Sequence, residues 1–237
     1  MKNKIYLLTI FILCSTAIFA QVAIVSDKDG YVNVRDLPEI KQDNIIDTLH
    51  NGSFVYVMDE EIEGNWVNVD FRGLGNKHNI FDGYIYANRI KYISDYQNIP
   101  KVSEKENKLI LKGDNISIEV KIRKFDSTKH IITYATENKW VYVDKIDGKG
   151  DFWGTDGNMP KYEYEYIRIT INGSTYSLPK DAIKNLFEPN LGEKVNYDKE
   201  NDILYIQSIN SDGAGAYVVV WKIEKGIYKE RAVFYGF

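Results

Sequence analysis

Most of this chain alternates apolar and polar residues one by one, in short runs bounded by Gly, Asn and Asp. A period of two places successive side chains on opposite faces of a strand. In residues 31–35, Val32 and Val34 share one face, while Tyr31, Asn33 and Arg35 share the other. Similar runs occupy 22–25, 45–49, 54–58, 66–70 and 83–86. Turn signals separate them at 27–30, at 50–52 (His-Asn-Gly) and in the acidic stretch 59–65. Short strands at this spacing predict a small β-barrel.

The pattern continues beyond residue 107. Residues 108–111 and 116–122 predict a hairpin, with Ile116, Ile118, Val120 and Ile122 on one face. Residues 131–134 and 140–143 read as a second pair. Residues 162–171 run into the turn signal Asn172-Gly173, and 175–178 return. Residues 202–209 and 217–223 flank the loop 210–216, and 228–235 close the chain. The single predicted helix is 179–187, where Ile183, Leu186 and Phe187 follow helical spacing and Pro189 ends it. The polar stretch 94–107, interrupted by Pro100, reads as a linker or a partly helical connection. The expected fold class is mainly β. A small N-terminal barrel (21–97) and a linker (98–107) precede a mostly antiparallel β domain with one short helix (108–237).

Residues 1–20 follow a different rule. Lys2 and Lys4 precede an apolar run, and small residues lead to Ala20 and a polar Gln21. This is the pattern of a secretory signal peptide, so export to the periplasm or beyond is expected, with cleavage near Ala20. Ile18 is larger than the ideal residue at its place. Cys14 raises a lipid-anchor alternative, but Leu13 is a poor residue before a lipidated cysteine. No later apolar run is long enough for a transmembrane helix.

Cleavage alters the charge. Loss of Lys2 and Lys4 from 30 basic residues leaves 28 against 34 acidic ones, a formal charge of −6. A net acidic chain without a long basic run argues against nucleic acid as a partner. Cys14 is the only cysteine, so the mature chain would carry neither disulfides nor thiol chemistry.

The N-terminal half resembles a bacterial SH3 domain. The resemblance rests on residues 29–35 (Asp-Gly-Tyr-Val-Asn-Val-Arg), Pro38, and 45–52 ending in His-Asn-Gly. It continues through 64–69 (Gly-Asn-Trp-Val-Asn-Val) and 83–90 (Gly-Tyr-Ile-Tyr-Ala-Asn-Arg-Ile). Two departures are Asp36-Leu-Pro38 at the first loop and an insert over 72–81. Residues 101–237 resemble regions that accompany such domains in secreted Bacteroidetes-type proteins. That likeness rests on 153–157 (Trp-Gly-Thr-Asp-Gly) and 211–215 (Ser-Asp-Gly-Ala-Gly), and it implies no activity. The SH3 resemblance implies an extracytoplasmic module that holds cell-wall peptide or an envelope protein.

The residues themselves suit that role. Tyr31, Asn33, Arg35, Trp66, Tyr84 and Tyr86 form the candidate ligand groove, with aromatic surface, tyrosine hydroxyls and one guanidinium for a carboxylate. Core packing for Trp66 and a structural pairing for Arg35 are the competing readings. Asp144, Asp147, Asp151 and Asp156 lie among glycines and form a weak calcium candidate, although their spacing fits no known loop. Plain Asp-Gly turns are the preferred reading, because Asp and Gly dominate turns for backbone reasons. The Ser211–Gly215 loop lacks the following Gly-Lys-Ser/Thr of a phosphate-binding loop. Trp140, Trp153 and Trp221 are expected in core or edge packing. His50, His78 and His130 fall in no catalytic motif. The expectation is therefore a binding protein without cofactor. An inhibitor or immunity-type protein, acting on a secreted hydrolase or toxin, and an envelope hydrolase remain as alternatives.

Overall fold

The computed structural model describes residues 21–62, 64–72 and 79–236, with the side chains of 59–62 excepted. The expected signal peptide, Cys14, His78 and most of the expected insert lie outside the described residues. Strands dominate, and every paired strand is antiparallel to its neighbours.

The first seven strands are β1 (Gln21–Val25), β2 (Tyr31–Arg35), β3 (Ile45–His50), β4 (Phe54–Ile62), β5 (Trp66–Arg72), β6 (Ile80–Tyr86) and β7 (Ile90–Tyr92). They form one sheet in the order β3-β2-β6-β5-β4-β1-β7. Its ladder is not closed, since β3 and β7 are hydrogen-bonded edges. The sheet nevertheless supplies its own core, with Val25, Val34, Leu49, Val55, Val69, Phe71 and Ile85 buried together. A single sheet that gathers six strands around one cluster must curl. Gly83 permits the tightest approach, because a Cβ there would meet Val34 Cγ1 at 2.5 Å and the Arg35 carbonyl oxygen at 2.9 Å.

The remaining strands are β8 (Gln97–Asn98), β9 (Lys101–Lys105), β10 (Lys108–Lys112), β11 (Ile116–Lys124), β12 (Ile132–Glu137), β13 (Trp140–Ile146), β14 (Tyr162–Ile171), β15 (Ser174–Ser177), β16 (Lys194–Asp198), β17 (Ile203–Asn210), β18 (Tyr217–Glu224) and β19 (Ile227–Tyr235). Two five-stranded sheets result, in the orders β15-β14-β11-β10-β9 and β19-β18-β17-β16-β8, beside the hairpin β12-β13. The facing sides of the two sheets bury Leu109, Ile118, Ile167, Ile169, Leu204, Ile206, Val219 and Trp221. This is a β-sandwich.

Two expectations change here. The segment 98–107 is extended and paired, through β8 to β16 and through β9 to β10, and Ile99 is buried. Alternating Val102 and Ser103 beside a hairpin edge supply a strand that the lysines and glutamates had masked. The helix is also shorter, a single turn α1 (Lys180–Ile183), with Lys184 already extended at ψ 155°. Leu186 and Phe187 are buried all the same. They reach the core in extended chain, where the Phe187 N–H donates to the Trp153 carbonyl and the Trp153 N–H to that of Asn185, each at 2.9 Å.

The two halves share a third core. Val22, Ile24, Phe54 and Tyr56 on the outer face of the first sheet pack against Tyr205, Val218, Val220 and Phe234. Tyr56 stacks on Phe234 at 5.8 Å. The β16–β19 sheet is thus the middle of three layers and is buried on both faces. This explains the unbroken apolar run Tyr217–Trp221, all of it buried.

Candidate functional site

Strand register settles where the groove residues lie. Val32 and Val34 face the core, so Tyr31, Asn33 and Arg35 face outward. Arg35 lies opposite Tyr84, Tyr84 opposite Asn68, and Tyr86 opposite Trp66. All six predicted residues therefore share the outer face, away from the strands that the second half covers.

Their contacts differ. Trp66 is only 4% exposed and stacks on Tyr86 with ring centroids 4.0 Å apart. Arg35 Nη1 donates to Asn44 Oδ1 at 2.6 Å and to the Lys41 carbonyl, bracing the loop that leads to β3. Asn33 Oδ1 accepts from the Thr48 hydroxyl at 3.1 Å. Tyr31 is exposed, and Tyr84 and Tyr86 are half-buried. A ligand on this face would meet the three tyrosines first, with Trp66 and Arg35 as their support. Farther along β5, Asp70 lies opposite Asp82. Burial, reinforced by that neighbouring charge, raises the Asp70 carboxyl to about 6.

The four aspartates of the calcium candidate do not converge. Asp147 accepts from the Ile131 N–H at 2.9 Å and lies 2.8 Å from His130 Nδ1. Asp151 and Asp156 line two different cavities. No group of three or more His, Cys, Asp or Glu among the described residues could hold a metal ion. The Asp-Gly turns set these positions instead, as the positive φ of Asp147 and Gly148 shows.

His130 pairs with Asp147 on one side, and its Nε2 lies 3.6 Å from Glu163 Oε2 on the other. Glu163 also accepts from Arg123 Nε at 2.9 Å. The ring nitrogen that would serve a nucleophile in a triad faces a carboxylate here.

The tertiary structure adds a site that sequence reasoning missed. The stretches 153–157 and 211–215 come into contact, with the Ser211 hydroxyl donating to the Gly154 carbonyl at 2.8 Å. Gly154 is obligatory there, since its φ is +103° and a Cβ would meet the Phe187 carbonyl oxygen at 2.2 Å. Two cavities of about 410 and 810 Å³ adjoin at this contact and share Gly154, Thr155 and Gly215 as lining. Trp153 stands in the first, 5.2 Å from the Tyr235 ring. Arg231, from β19, and Arg72, from the other half of the chain, also line it. Arg72 Nη2 donates to the Val233 carbonyl at 2.7 Å. Arg231 Nη1 donates to the carbonyls of Ala182 and Lys184 at 3.0 and 2.8 Å. The only sequence signal for this site was the pair of Gly-rich stretches; nothing in the sequence joined them to either arginine.

The remaining tryptophans diverge from one another. Trp221 is fully buried, whereas Trp140, expected in packing, is 80% exposed at the β12-β13 turn. The Asn138-Lys139 turn, with both residues at positive φ, places it at the first position of β13, paired with Glu137 at the hairpin's end.

No family model, no curated protein and no solved structure matches the chain. Its function must be argued from this geometry.

Proposed function

We infer that this chain is an exported, non-catalytic binding protein of the cell envelope. In this reading residues 21–92 act as an SH3-like barrel, and the outward tyrosines engage cell-wall peptide or an envelope protein. The observation that carries it is the register that gathers Tyr31, Tyr84 and Tyr86 on one outer face, with Trp66 and Arg35 beneath and beside them. Tyrosines of this kind bury apolar ligand surface while their hydroxyls stay available for hydrogen bonds. Docking of the other half on β1 and β4 leaves that face open.

The test is co-sedimentation of the chain from Gln21 onward with purified peptidoglycan sacculi. The wild type is expected to pellet. The Tyr31→Ala/Tyr84→Ala double variant, with both side chains outside the cores, is expected to remain in the supernatant with its circular dichroism unchanged. A wild type that stays in the supernatant rejects the wall ligand and turns the search toward a protein partner on the same face.

A further inference from the structure

The sequence contains two Asn-Gly pairs, Asn51-Gly52 and Asn172-Gly173, and each sits in a reversal between strands. Such pairs are hairpin signals, but they also carry chemistry. With no side chain on the glycine, its main-chain nitrogen can reach the asparagine Cγ and close a five-membered ring. That route is one reason why asparagine is a thermolabile residue. Two groups must be free for it. The carboxamide has to swing onto the main chain, and the glycine N–H has to give up its proton.

At Asn51 both groups are held. Its Oδ1 accepts from the Asp27 N–H at 2.9 Å, and its Nδ2 donates to the Asp27 carbonyl at 2.7 Å. The Gly52 N–H donates to the Val25 carbonyl at 2.9 Å. Attack there has to wait for a local opening that breaks these bonds together.

At Asn172 neither group is held. The Asn172 N–H donates to the Asn115 carbonyl at 2.9 Å, which ties this turn to the reversal between β10 and β11. The Asn172 carboxamide and the Gly173 N–H have no hydrogen-bond partner among the described residues. Open space surrounds Gly173, since a Cβ there would meet nothing within 4 Å. Exposure does not separate the two asparagines, because both are exposed; hydrogen bonding does.

We propose that Asn172 is a self-modification site, which deamidates through a cyclic imide, and that the bonds to Asp27 and Val25 protect Asn51. The Gly173 nitrogen attacks Asn172 Cγ. The N–Cγ bond forms, the Cγ–Nδ2 bond breaks, and the amide nitrogen leaves as ammonia with the Gly173 proton. Water then opens the imide at either carbonyl, leaving aspartate or isoaspartate at position 172. Both products place a new carboxylate beside Asp114, which lines the same small cavity as Asn172. Isoaspartate also adds a methylene to the main chain, inside a turn whose two residues sit at φ +49° and +82°. β15 is an edge strand paired only with β14, so a misfitting turn releases it.

Peptide mapping by mass spectrometry tests this on the folded chain from Gln21, incubated in mildly alkaline buffer. The same chain in concentrated urea is the reference, and conversion to aspartate and isoaspartate is followed at both sites. In the folded protein Asn172 is expected to convert about tenfold or more faster than Asn51, the effect of the bonds that must open first. In urea Asn51 is expected to accelerate until the two rates converge. Equal rates in the folded protein overturn the proposal, as does an Asn172 that stays intact while the urea sample converts. A difference that persists in urea overturns the protection of Asn51, because flanking sequence would then set it. Hydrogen exchange over residues 174–177 is expected to rise in the isoaspartate fraction, and unchanged exchange overturns the release of β15. None of these outcomes touches the sacculus experiment, which reads the tyrosine face.

Discussion

The two halves of this molecule use the same alternating strands but place their aromatic residues on opposite sides. In the first half the core is aliphatic apart from Phe71, and the tyrosines and Trp66 look outward. In the second half Tyr164, Tyr217 and Trp221 lie inside the sandwich, each with its polar atom bonded. Tyr217 donates to the Phe187 carbonyl at 2.9 Å, and Trp221 Nε1 to the Ala182 carbonyl at 2.7 Å. The Tyr164 hydroxyl donates to Glu193 at 3.0 Å and accepts from Asn210 at 2.9 Å. A curled single sheet has too little interior for large rings, whereas two facing sheets leave a space that rings fill, provided every hydroxyl and indole N–H finds an acceptor. Tyr31, Tyr84 and Tyr86 of the first half are therefore available for contact, whereas Tyr164, Tyr217 and Trp221 of the second are committed to stability.

Substitutions can break this contrast, beginning with the largest effect. Trp221→Ala removes a fully buried ring and leaves the Ala182 carbonyl without one donor, so a loss of about 4–5 kcal/mol is expected in urea unfolding. Tyr86→Ala, at a half-buried outer position, should cost well under half of that. Equal costs would show that the outer face is core after all.

The next effect depends on pH. Burial raises the Glu193 carboxyl from its ordinary 4.5 to about 7. The folded protein therefore holds this proton where the unfolded chain has released it, and stability contributed at low pH declines as pH rises from about 4.5 through about 7. Glu193→Gln removes that decline. It should gain on the wild type by roughly 3 kcal/mol across the window and be nearly level with it below the window. Denaturation midpoints at several pH values measure this, and a constant difference between the two proteins would refute it.

The smallest effect sharpens the comparison. Arg35→Ala removes the bond to Asn44 and frees the loop before β3, at a cost of about 1–2 kcal/mol. Hydrogen exchange should rise over residues 37–44 and remain unchanged in the sandwich. Exchange that also rose in the sandwich would mean that the halves are coupled through this loop rather than through the Tyr56–Phe234 layer.

Much of this fold was legible in advance, for a local reason. Alternation at 31–35, 66–70 and 116–122 fixes which side chains can be buried together, and the Asn-Gly and Asp-Gly pairs fix where the chain reverses. Those signals sit within a few residues of one another. The strand at 101–105 was hidden because its lysines and glutamates look like a linker until β10 lies beside it. The helix at 179–187 failed for the converse reason. Its apolar spacing was real, but pairing with Trp153 pulled Leu186 and Phe187 into extended chain.

The sequence by itself determined most of the strands and the alternation of faces within each, as in Val32 and Val34 against Tyr31, Asn33 and Arg35. Only the tertiary structure decided that Trp66 is buried, that the β16–β19 sheet is covered on both faces, and that Arg72 and Arg231 line one cavity beside Gly154 and Gly215. Alternation is a property of neighbouring residues, and the backbone enforces it locally. Which face meets water, and which distant charges share a cavity, depends on how separate sheets dock, and no period in the chain encodes that.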